Sequence, residues 1–216
     1  MTASAITDSI YNNYLNALLA GNRQVCHSIV KKLLDSKPDI KDLYVHLFQR
    51  SLYEVGELWE KNKISVATEH IATAITEGLL TLVYPTIFAA EHSGKKGLVA
   101  CVPNEFHQIG AKMVADTFEL NGWDGYFIGS NTPVQDLIKA IDETQPDVIA
   151  LSLSIYFNLP ELVKMMQEIR KHFNDVPIWV GGQAFRWGGK ETVENFPGTL
   201  FIDSLQKLEH QLRTNL

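Results

Sequence analysis

The sequence predicts an α/β protein in which a helical bundle is followed by a parallel sheet with helices on both faces. Two observations predict this fold class. Up to about residue 92 the apolar residues recur at helical spacing, whereas after Ser93-Gly94 short apolar runs alternate with helical patterns. Such alternation is typical of parallel strands joined by right-handed crossovers. We therefore predict a helical domain over residues 1–93 and a sheet domain over residues 94–216.

The helical domain is predicted to contain four helices. Their apolar patterns cover residues 6–18, 25–34, 40–60 and 65–91. Gly21-Asn22 ends the first pattern, Pro38 follows the second, and the polar link 61–63 separates the third from the fourth. The third helix carries an apolar stripe formed by Leu43, Leu47, Leu52, Val55 and Leu58. Because the connections are short, the four helices favour a small bundle.

The sheet domain is predicted to contain five strands. The apolar runs that predict them cover residues 97–102, 124–128, 147–152, 177–180 and 199–202. Helical patterns follow them at about 107–121, 133–144, 159–173, 188–195 and 203–214. The first run is continuously apolar, as expected for a parallel strand that is buried on both faces.

Composition and charge exclude several classes of protein. The chain of 216 residues has 25 acidic and 19 basic residues and no Lys/Arg block, which disfavours sequence-independent binding to nucleic acid. Cys26 and Cys101 lie far apart in apolar contexts, so we expect two reduced, buried thiols. The N-terminus does not resemble a secretion signal, and no run of about 18 uncharged apolar residues occurs. We therefore expect a soluble, cytoplasmic protein that does not insert into a membrane.

The loop after the first predicted strand contains the most informative residues of the chain. His107 lies there, at the carboxyl end of a strand, where open α/β sheets bind their ligands. Glu105 can accept a hydrogen bond from one ring nitrogen and so fix the tautomer of a ligating imidazole. Gly110 lets a large flat ligand approach the backbone. The alternative is a loop histidine that caps the following helix.

Small and polar residues also follow the other predicted strands. They are Gly129, Thr132, Ser152, Ser154, Gly181 and Gly182. Hydroxyl groups and glycine backbone at neighbouring strand ends predict a slot with a polar rim, suited to an extended ligand that carries a phosphate or a sugar. Each turn taken alone is equally explained as an ordinary use of glycine and serine.

These motifs together resemble the cobalamin-binding domain of methionine synthase and its relatives. The family pattern is Asp-x-His-x-x-Gly, then Ser-x-Leu, then Gly-Gly, and the order and spacing match here. The resemblance extends over nearly the whole chain, because a four-helix module also precedes the flavodoxin-like or Rossmann-like domain in that family. Two positions depart from the pattern: Glu105 stands in place of Asp, and Ser154 in place of Leu.

The resemblance implies cobalamin bound in the base-off, His-on mode. His107 would replace the dimethylbenzimidazole of the cofactor as the lower ligand of cobalt, and the nucleotide tail would lie between Ser152 and Gly181-Gly182. The positions implied to contact the cofactor in this domain are Glu105, His107, Gln108, Ile109, Gly110, Gly129, Thr132, Ser152, Ser154, Gly181 and Gly182.

In the helical domain, Trp59 and the pair Glu69-His70 are further candidates for cofactor contacts. From the residues alone, Trp59 is a core aromatic and Glu69-His70 lies at the N-terminus of a helix. The pattern also resembles the Trp, Glu and His of light-sensing cobalamin regulators, in which these side chains close over an adenosyl group. The resemblance then implies that Trp59 packs on adenine and that Glu69 binds ribose hydroxyls.

Two features separate the chain from those sensors. Glu60 occupies the position after the Trp where the sensors carry a second His, so their bis-His photoproduct is in doubt, although His70 is a possible substitute. The helical bundle begins within the first ten residues or so, so we expect no winged-helix DNA-binding domain of the MerR type. A signal would then pass to a protein partner or through a homo-oligomer, without direct contact with nucleic acid.

Two functions are compatible with the sequence, and neither is that of an enzyme acting alone. The favoured one is a sensor, a photoreceptor in transcription regulation, that uses adenosylcobalamin and signals by rearrangement of domains or oligomer. The alternative is a corrinoid carrier that shuttles methyl groups between methyltransferases and holds methylcobalamin or hydroxocobalamin. Trp59, Glu69 and His70 favour the sensor, because a methyl group needs no adenine-sized pocket. No acid–base pair, nucleophile constellation or zinc spacing occurs.

Overall fold

The computed structural model describes residues 6–214, and the chain divides into two compact units, Met1–Thr86 and Ile87–Leu216. The α/β class with an N-terminal helical bundle and a parallel sheet is confirmed. The domain boundary placed at 93/94 from the sequence stays a prediction.

The first unit is a bundle whose helices follow the four predicted patterns. Its elements are α1 (Asp8–Leu19), α2 (Arg23–Asp35), α3 (Ile40–Leu43), a π-helical segment (Tyr44–Gln49), α4 (Arg50–Glu60), α5 (Val66–Leu80), a 3₁₀ turn (Thr81–Val83) and α6 (Tyr84–Ile87). Polar side chains at the N-caps of α1, α2, α3 and α5 accept backbone N–H groups, as helix starts require. These caps are Thr7, Asn22, Asp39 and Ser65.

The third predicted helix contains a π-helical segment that the sequence analysis did not foresee. The backbone remains helical from α3 through Tyr44–Gln49 to α4. Because a π turn holds more residues than an α turn, a second row of side chains rotates toward the core. Tyr44, Phe48 and Ser51 are therefore fully buried beside Leu47, whereas Leu52 and Leu58 of the predicted stripe are only half-buried.

The fourth predicted helix ends at Ile87 and not near Glu91. A 3₁₀ turn at Thr81–Val83 interrupts it, and the chain then leaves the helix to bind the sheet domain. Ser93 donates its N–H to the carbonyl oxygen of Gly122 at 2.7 Å. The imidazole Nδ1 of His92 lies 2.6 Å from Oδ1 of Asp124. These partners replace the hydrogen bonds that a longer helix would have formed.

The second unit is an all-parallel five-stranded sheet in the order β2-β1-β3-β4-β5. The strands are β1 (Lys96–Cys101), β2 (Asp124–Phe127), β3 (Val148–Ser152), β4 (Ile178–Gly181) and β5 (Thr199–Phe201). The helices are α7 (Ile109–Leu120), α8 (Val134–Thr144), α9 (Leu159–His172), α10 (Lys190–Glu194) and α11 (Leu205–Thr214), with 3₁₀ turns at Tyr156–Asn158 and Gln183–Trp187. Each strand lies within two residues of its predicted position.

The side chains of β1 alternate between two packed layers. Leu98 and Ala100 belong to the core that contains the buried residues of α8 and α9. On the other face Gly97 lies against Phe118 of α7, whose ring also stacks on Trp179. A β-carbon at Gly97 would come within 2.4 Å of that ring, so the close approach of α7 requires glycine here.

Among the described residues, no helix is long and apolar enough to cross a membrane. The prediction of two free, buried thiols is confirmed for Cys26 and Cys101. Burial raises the pKa of the Cys26 thiol to about 11 and that of Cys101 to about 12.

The strand order creates a topological switch point at the carboxyl ends of β1 and β3. These two strands are neighbours, but the chain leaves β1 toward β2 on one side and leaves β3 toward β4 on the other. Open α/β sheets form a ligand crevice where the connections diverge in this way. The loop that carries His107 follows β1 and borders this crevice.

Candidate functional site

The loop between β1 and α7 holds His107 in a defined orientation. Its Nδ1 lies 2.7 Å from Oε1 of Glu105, whose side chain is fully buried, while half of the imidazole surface is exposed. An ionised carboxylate only accepts hydrogen bonds, so Nδ1 carries a proton, and in the neutral form of the ring the lone pair is on Nε2. The alternative of a helix-capping histidine is wrong, because the N-cap position of α7 is Gln108.

The second oxygen of Glu105 binds the loop after β3. Oε2 accepts the backbone N–H groups of Ser154 at 2.9 Å and of Ile155 at 2.8 Å. Burial by itself raises the pKa of the Glu105 carboxyl, but the hydrogen bonds from His107, Ile155 and Ser154 outweigh burial and lower the pKa below its ordinary value. Glu105 is therefore an ionised carboxylate that joins the loops after β1 and β3.

Three asparagines connect the strand-end loops through the backbone. Asn104 and Asn131 both have positive φ, a conformation that Asn tolerates better than most residues. The N–H of Asn104 donates to Oδ1 of Asn131 at 2.8 Å, and the N–H of Asn131 donates to the carbonyl of Glu105 at 2.8 Å. Asn158 donates Nδ2–H to the carbonyl of Asn104 at 3.3 Å. These contacts connect the loops after β1, β2 and β3.

The glycines nearest to His107 leave open space beside the backbone. No atom lies within 4 Å of a β-carbon built on Gly110 or on Gly129, and Gly129 has a φ of +110°. Gln108 is half-buried, and Ile109 packs its side chain into the core. Of the predicted contacts in α7, Gly110 therefore offers the most accessible surface, and Ile109 offers only its backbone.

Gly181 and Gly182 are required by the packing of neighbouring loops. A β-carbon on Gly181 would lie 2.5 Å from the carbonyl oxygen of Ile202, and one on Gly182 would lie 2.0 Å from that of Leu153. Ser152 is buried at the end of β3, and the hydroxyl of buried Thr132 donates to the carbonyl of Gly129 at 3.3 Å. Gly182 thus allows the loops after β3 and β4 to approach each other closely, and Gly181 allows the end of β4 to approach the residue after β5.

In the first unit, Trp59 is not the core aromatic that its apolar context predicted. It lies near the end of α4 with 45% of its surface exposed. Glu69 and His70 lie near the N-terminus of α5, as predicted. Nδ1 of His70 lies 2.5 Å from Oε2 of Glu69, and Oε1 of Glu69 accepts the hydroxyl of Thr73 at 2.8 Å. The imidazole of His70 is largely exposed.

Exposed apolar side chains, which sequence reasoning missed, surround the carboxyl edge of the sheet. Phe157 is 91% exposed in the 3₁₀ turn after β3, and Phe106, Ile155, Tyr156 and Trp187 are also exposed. The signal that would have revealed them is the presence of aromatic residues in strand-end loops, where polar residues are usual. The asparagine contacts and the N–H of Ile155 had no signal in the sequence.

Two family matches cover most of the chain. The B12 binding domain matches residues 95–202, and a second B12 binding domain matches residues 10–84. The chain belongs to the B12-binding family. It is thus a cobalamin-binding protein whose cofactor is a corrinoid, as the motif around His107 implied.

Curated relatives of this cobalamin-binding protein include regulators and a corrinoid protein. The HTH-type transcriptional repressor CarH of Myxococcus xanthus is 26% identical over 73% of the chain and 52% of its own length. The repressor CarA of the same organism is 28% identical over 57% of the chain and 43% of its own length. Dimethylamine corrinoid protein 1 of Methanosarcina acetivorans is 26% identical over 60% of the chain and 62% of its own length. The chain thus spans about half the length of the curated relatives it matches.

Solved structures share the fold of this cobalamin-binding protein. The monomethylamine corrinoid protein of Methanosarcina barkeri has a TM-score of 0.83 at 12% identity and covers 98% of the chain and 100% of its own. A methanol:cobalamin methyltransferase complex from the same organism has a TM-score of 0.53 at 12% identity, over 97% of the chain and 80% of its own. A cobalamin-binding protein of Desulfitobacterium hafniense has a TM-score of 0.51 at 16% identity, and the match covers 95% of the chain and 98% of that protein.

The residues at the sheet edge fit a corrinoid. With the proton on Nδ1, the lone pair of a neutral His107 ring is on Nε2, and a neutral imidazole is a common ligand of transition metals. Gly110 leaves space for a flat ring system, and exposed Phe106 and Ile155 offer apolar surface beside it. The donor set and the accessible surface are therefore those that the cofactor needs.

Proposed function

We propose that this protein is a corrinoid carrier that holds cobalamin with His107 as the lower cobalt ligand and presents the upper face to a protein partner. The observation that carries the proposal is the buried Glu105 carboxylate on Nδ1 of His107. It orients a half-exposed imidazole at the topological switch point with Nε2 as the ligating atom. Bound cobalamin would supply the metal–carbon chemistry by which an alkyl group is carried.

The other predicted site residues are proposed to shape the space around the cofactor. The open backbone at Gly110 and Gly129 would allow the corrin to approach. The corrin ring and the nucleotide tail of the cofactor would be bordered by Ser152, Thr132, Gln108 and the backbone of Ile109. Gly181-Gly182 would line the tail slot, where the lack of a side chain on Gly182 lets the loops after β3 and β4 lie close together.

The comparisons support a carrier better than the sensor that the sequence analysis favoured. The monomethylamine corrinoid protein shares the fold with a TM-score of 0.83, and a dimethylamine corrinoid protein is among the relatives in sequence. Glu60 supports the same preference, because a carboxylate replaces the second imidazole of the sensors. By analogy with the methanol:cobalamin methyltransferase complex, we propose a methyltransferase as the protein partner.

A light-responsive regulator is the second candidate, and exposed Trp59 favours it. An indole with 45% of its surface exposed is available to pack on an adenosyl group, and Glu69 and His70 follow in α5. The similarity to the repressors CarH and CarA points the same way. On this candidate, adenosylcobalamin would be the physiological cofactor and its release by light would be the signal.

The lower ligand is tested by the variant His107→Ala. Electron paramagnetic resonance of protein loaded with cob(II)alamin should show nitrogen coupling to cobalt in the parent and lose it in the variant. His172→Ala is the matched control, because His172 ends α9 and its Nε2 lies 3.4 Å from Oε1 of Glu168. An unchanged spectrum in His107→Ala would contradict the assignment.

Cofactor selectivity separates the carrier from the sensor. A carrier should bind methylcobalamin and adenosylcobalamin with similar affinity, and Trp59→Ala should affect both alike. In a sensor, stacking of adenine on the indole contributes about 1–3 kcal/mol to binding. Trp59→Ala should then weaken the binding of adenosylcobalamin by roughly tenfold or more and leave the binding of methylcobalamin unchanged.

Small-angle scattering in darkness and after green or blue light should show no change for a carrier. A change of shape or oligomer would favour the sensor.

A further inference from the structure

The connector between α6 and β1, residues 88–95, lies against the turn between α7 and β2. Ser93 donates its N–H, at 2.7 Å, and its hydroxyl, at 2.9 Å, to the carbonyl oxygen of Gly122. A β-carbon on Gly122 would lie 2.6 Å from the carbonyl oxygen of Glu91, so the connector approaches this turn closely because residue 122 is glycine. The described contacts with the turn therefore begin at Glu91, and residues 88–90 precede them.

His92 lies between two carboxylates within this connector. Its Nδ1 lies 2.6 Å from Oδ1 of Asp124, and its Nε2 lies 3.3 Å from Oε2 of Glu119. The other oxygen of Glu119 accepts the N–H of Gly125 at 2.8 Å, which holds the carboxylate in place. A neutral imidazole carries a proton on only one nitrogen, so either tautomer turns a lone pair toward a carboxylate. Only the imidazolium satisfies both partners.

We propose that His92 makes the docking of the connector sensitive to pH. Histidine is the side chain that ordinarily changes charge between pH 5 and 8. The protonated ring attracts both carboxylates and holds the connector, whereas loss of the proton as pH rises sets a lone pair against one of them and favours release. The charged side chains on the elements around His92 are Glu119 of α7, Asp124 of β2, Arg213 of α11 and, within the connector, Glu91 and Lys95.

Release of the connector changes the length of chain that joins the two units. While it is docked, residues 88–90 join α6 to the docked part of the connector; after release, residues 88–95 join α6 to β1. Because the reach of a chain grows with its number of residues, release more than doubles the maximum length of this tether. The position of His92 would thus let pH set how far the helical unit can move from the sheet unit.

The variant Glu119→Gln should reverse this response to pH. A carboxamide has one acceptor and one donor end, and the N–H of Gly125 requires the acceptor. The NH₂ group then faces Nε2 of His92, where it donates to the lone pair of a neutral ring and opposes the N–H of a protonated one. The connector of this variant should be held better at high pH than at low pH.

His172 provides a matched control in the same chain. Its Nε2 lies 3.4 Å from Oε1 of Glu168, and among its described contacts no second carboxylate faces the ring. A neutral ring can therefore still direct its one proton toward Glu168. The N–H of the next residue, Phe173, donates to the carbonyl oxygen of Ile169 at 2.8 Å and reports on this site as the Ser93 amide reports on the connector.

The test is hydrogen exchange of single amides, followed by NMR in the cofactor-free full chain at pH 5 and pH 8. Protection of the Ser93 amide, corrected for the intrinsic exchange rate and compared with the amides of β1, measures how often the connector is released. In the parent it should fall roughly fivefold as pH rises, about the worth of one ion pair, and protection of Phe173 should change much less. In Glu119→Gln it should be lower than in the parent at the lower pH and higher at the higher pH. Equal changes at Ser93 and Phe173, or parallel behaviour of parent and variant, would overturn the proposal.

The parent alone decides the case in which Glu119→Gln does not fold. Its ring nitrogen-15 spectrum at pH 5 should show both nitrogens of His92 protonated. The Ser93 amide should lose protection as pH rises while the β1 amides keep theirs, and constant protection of Ser93 would overturn the proposal. Because the cofactor is absent from these measurements, their outcome is independent of the proposed role of His107 as lower cobalt ligand.

Discussion

At the scale of single residues, glycine serves two different purposes in the candidate site. Gly182 has a φ of +122°, and a β-carbon there would meet the backbone of Leu153, whereas a β-carbon at Gly110 would meet nothing within 4 Å. The first glycine is required by the fold, and the second leaves surface open. The two positions therefore respond differently to the same substitution.

We expect Gly182→Ala to lower the free energy of unfolding by about 1–3 kcal/mol or more, because the new methyl group strains the backbone and clashes with Leu153.

Gly110→Ala should raise the free energy of unfolding by about 0.5–1 kcal/mol, since alanine is favoured over glycine in a helix. Gly110→Ala should nevertheless weaken cobalamin binding. Urea denaturation and cofactor titration measure the two effects, and normal binding by Gly110→Ala would show that the corrin does not approach this backbone.

The buried carboxylate of Glu105 predicts a loss of stability in acid. Its hydrogen bonds lower its pKa in the folded protein below the value of an unfolded chain. The carboxylate therefore stabilises the fold at pH values above the unfolded pKa of about 4.3. This contribution is lost as pH falls through the folded pKa. Glu105→Gln should lack this part of the pH dependence, and denaturation at a series of pH values would contradict the prediction if both proteins lost stability in parallel.

At the scale of the elements, the helix that continues from the π-helical segment into α4 buries some aromatic residues and exposes others. Tyr44 and Phe48 lie within the π-helical segment and are fully buried, and the centres of their rings are 6.2 Å apart. Trp59, near the end of α4, has 45% of its surface exposed. An aromatic residue in the same continuous helix thus lies either in the core or at the surface according to its position.

This difference predicts contrasting stabilities for two alanine variants. Phe48→Ala should cost about 3–5 kcal/mol, because it leaves a cavity in the bundle. Trp59→Ala should change the free energy of unfolding far less, within about 0.5–1 kcal/mol, as is usual for surface positions. Chemical denaturation of both variants measures the contrast. A large loss of stability in Trp59→Ala would indicate that the indole supports the fold.

At the scale of the whole molecule, the segment between α6 and β1 decides where the sheet domain begins. His92 and Ser93 bind Asp124 and Gly122, which lie in the second unit. The sequence-based boundary at 93/94 would remove both residues from that unit. The division after Thr86 keeps them.

We therefore expect a fragment 87–216 to be more stable than a fragment 94–216. The difference should be about 1–3 kcal/mol, because the shorter fragment loses two hydrogen bonds to Gly122 and the contact of His92 with Asp124. Thermal denaturation of the two fragments measures it. A longer fragment with His92→Ala and Ser93→Ala should lie between the two, because it loses both side-chain contacts but keeps the backbone N–H of residue 93. Equal stability of the two unmutated fragments would support the boundary at 93/94.

The sequence by itself determined the class of the fold and the position of the loop that carries His107. Helical spacing and strand-like runs are formed by residues close together in the chain, so their periodicity predicts elements without knowledge of the fold. The same holds for Glu105 and His107, which are two residues apart in one loop after a strand. Their contact, 2.7 Å in the structure, was predicted for this reason.

Only the tertiary structure decided which groups support that loop from outside. The N–H of Ser154 that binds Glu105 lies 49 residues away in the sequence, and backbone amides carry no signal of residue type. The exposure of Trp59 and the presence of the π-helical segment likewise depended on how neighbouring helices pack. Local periodicity does not encode such pairings, because they arise only when the strand order brings the ends of β1 and β3 side by side.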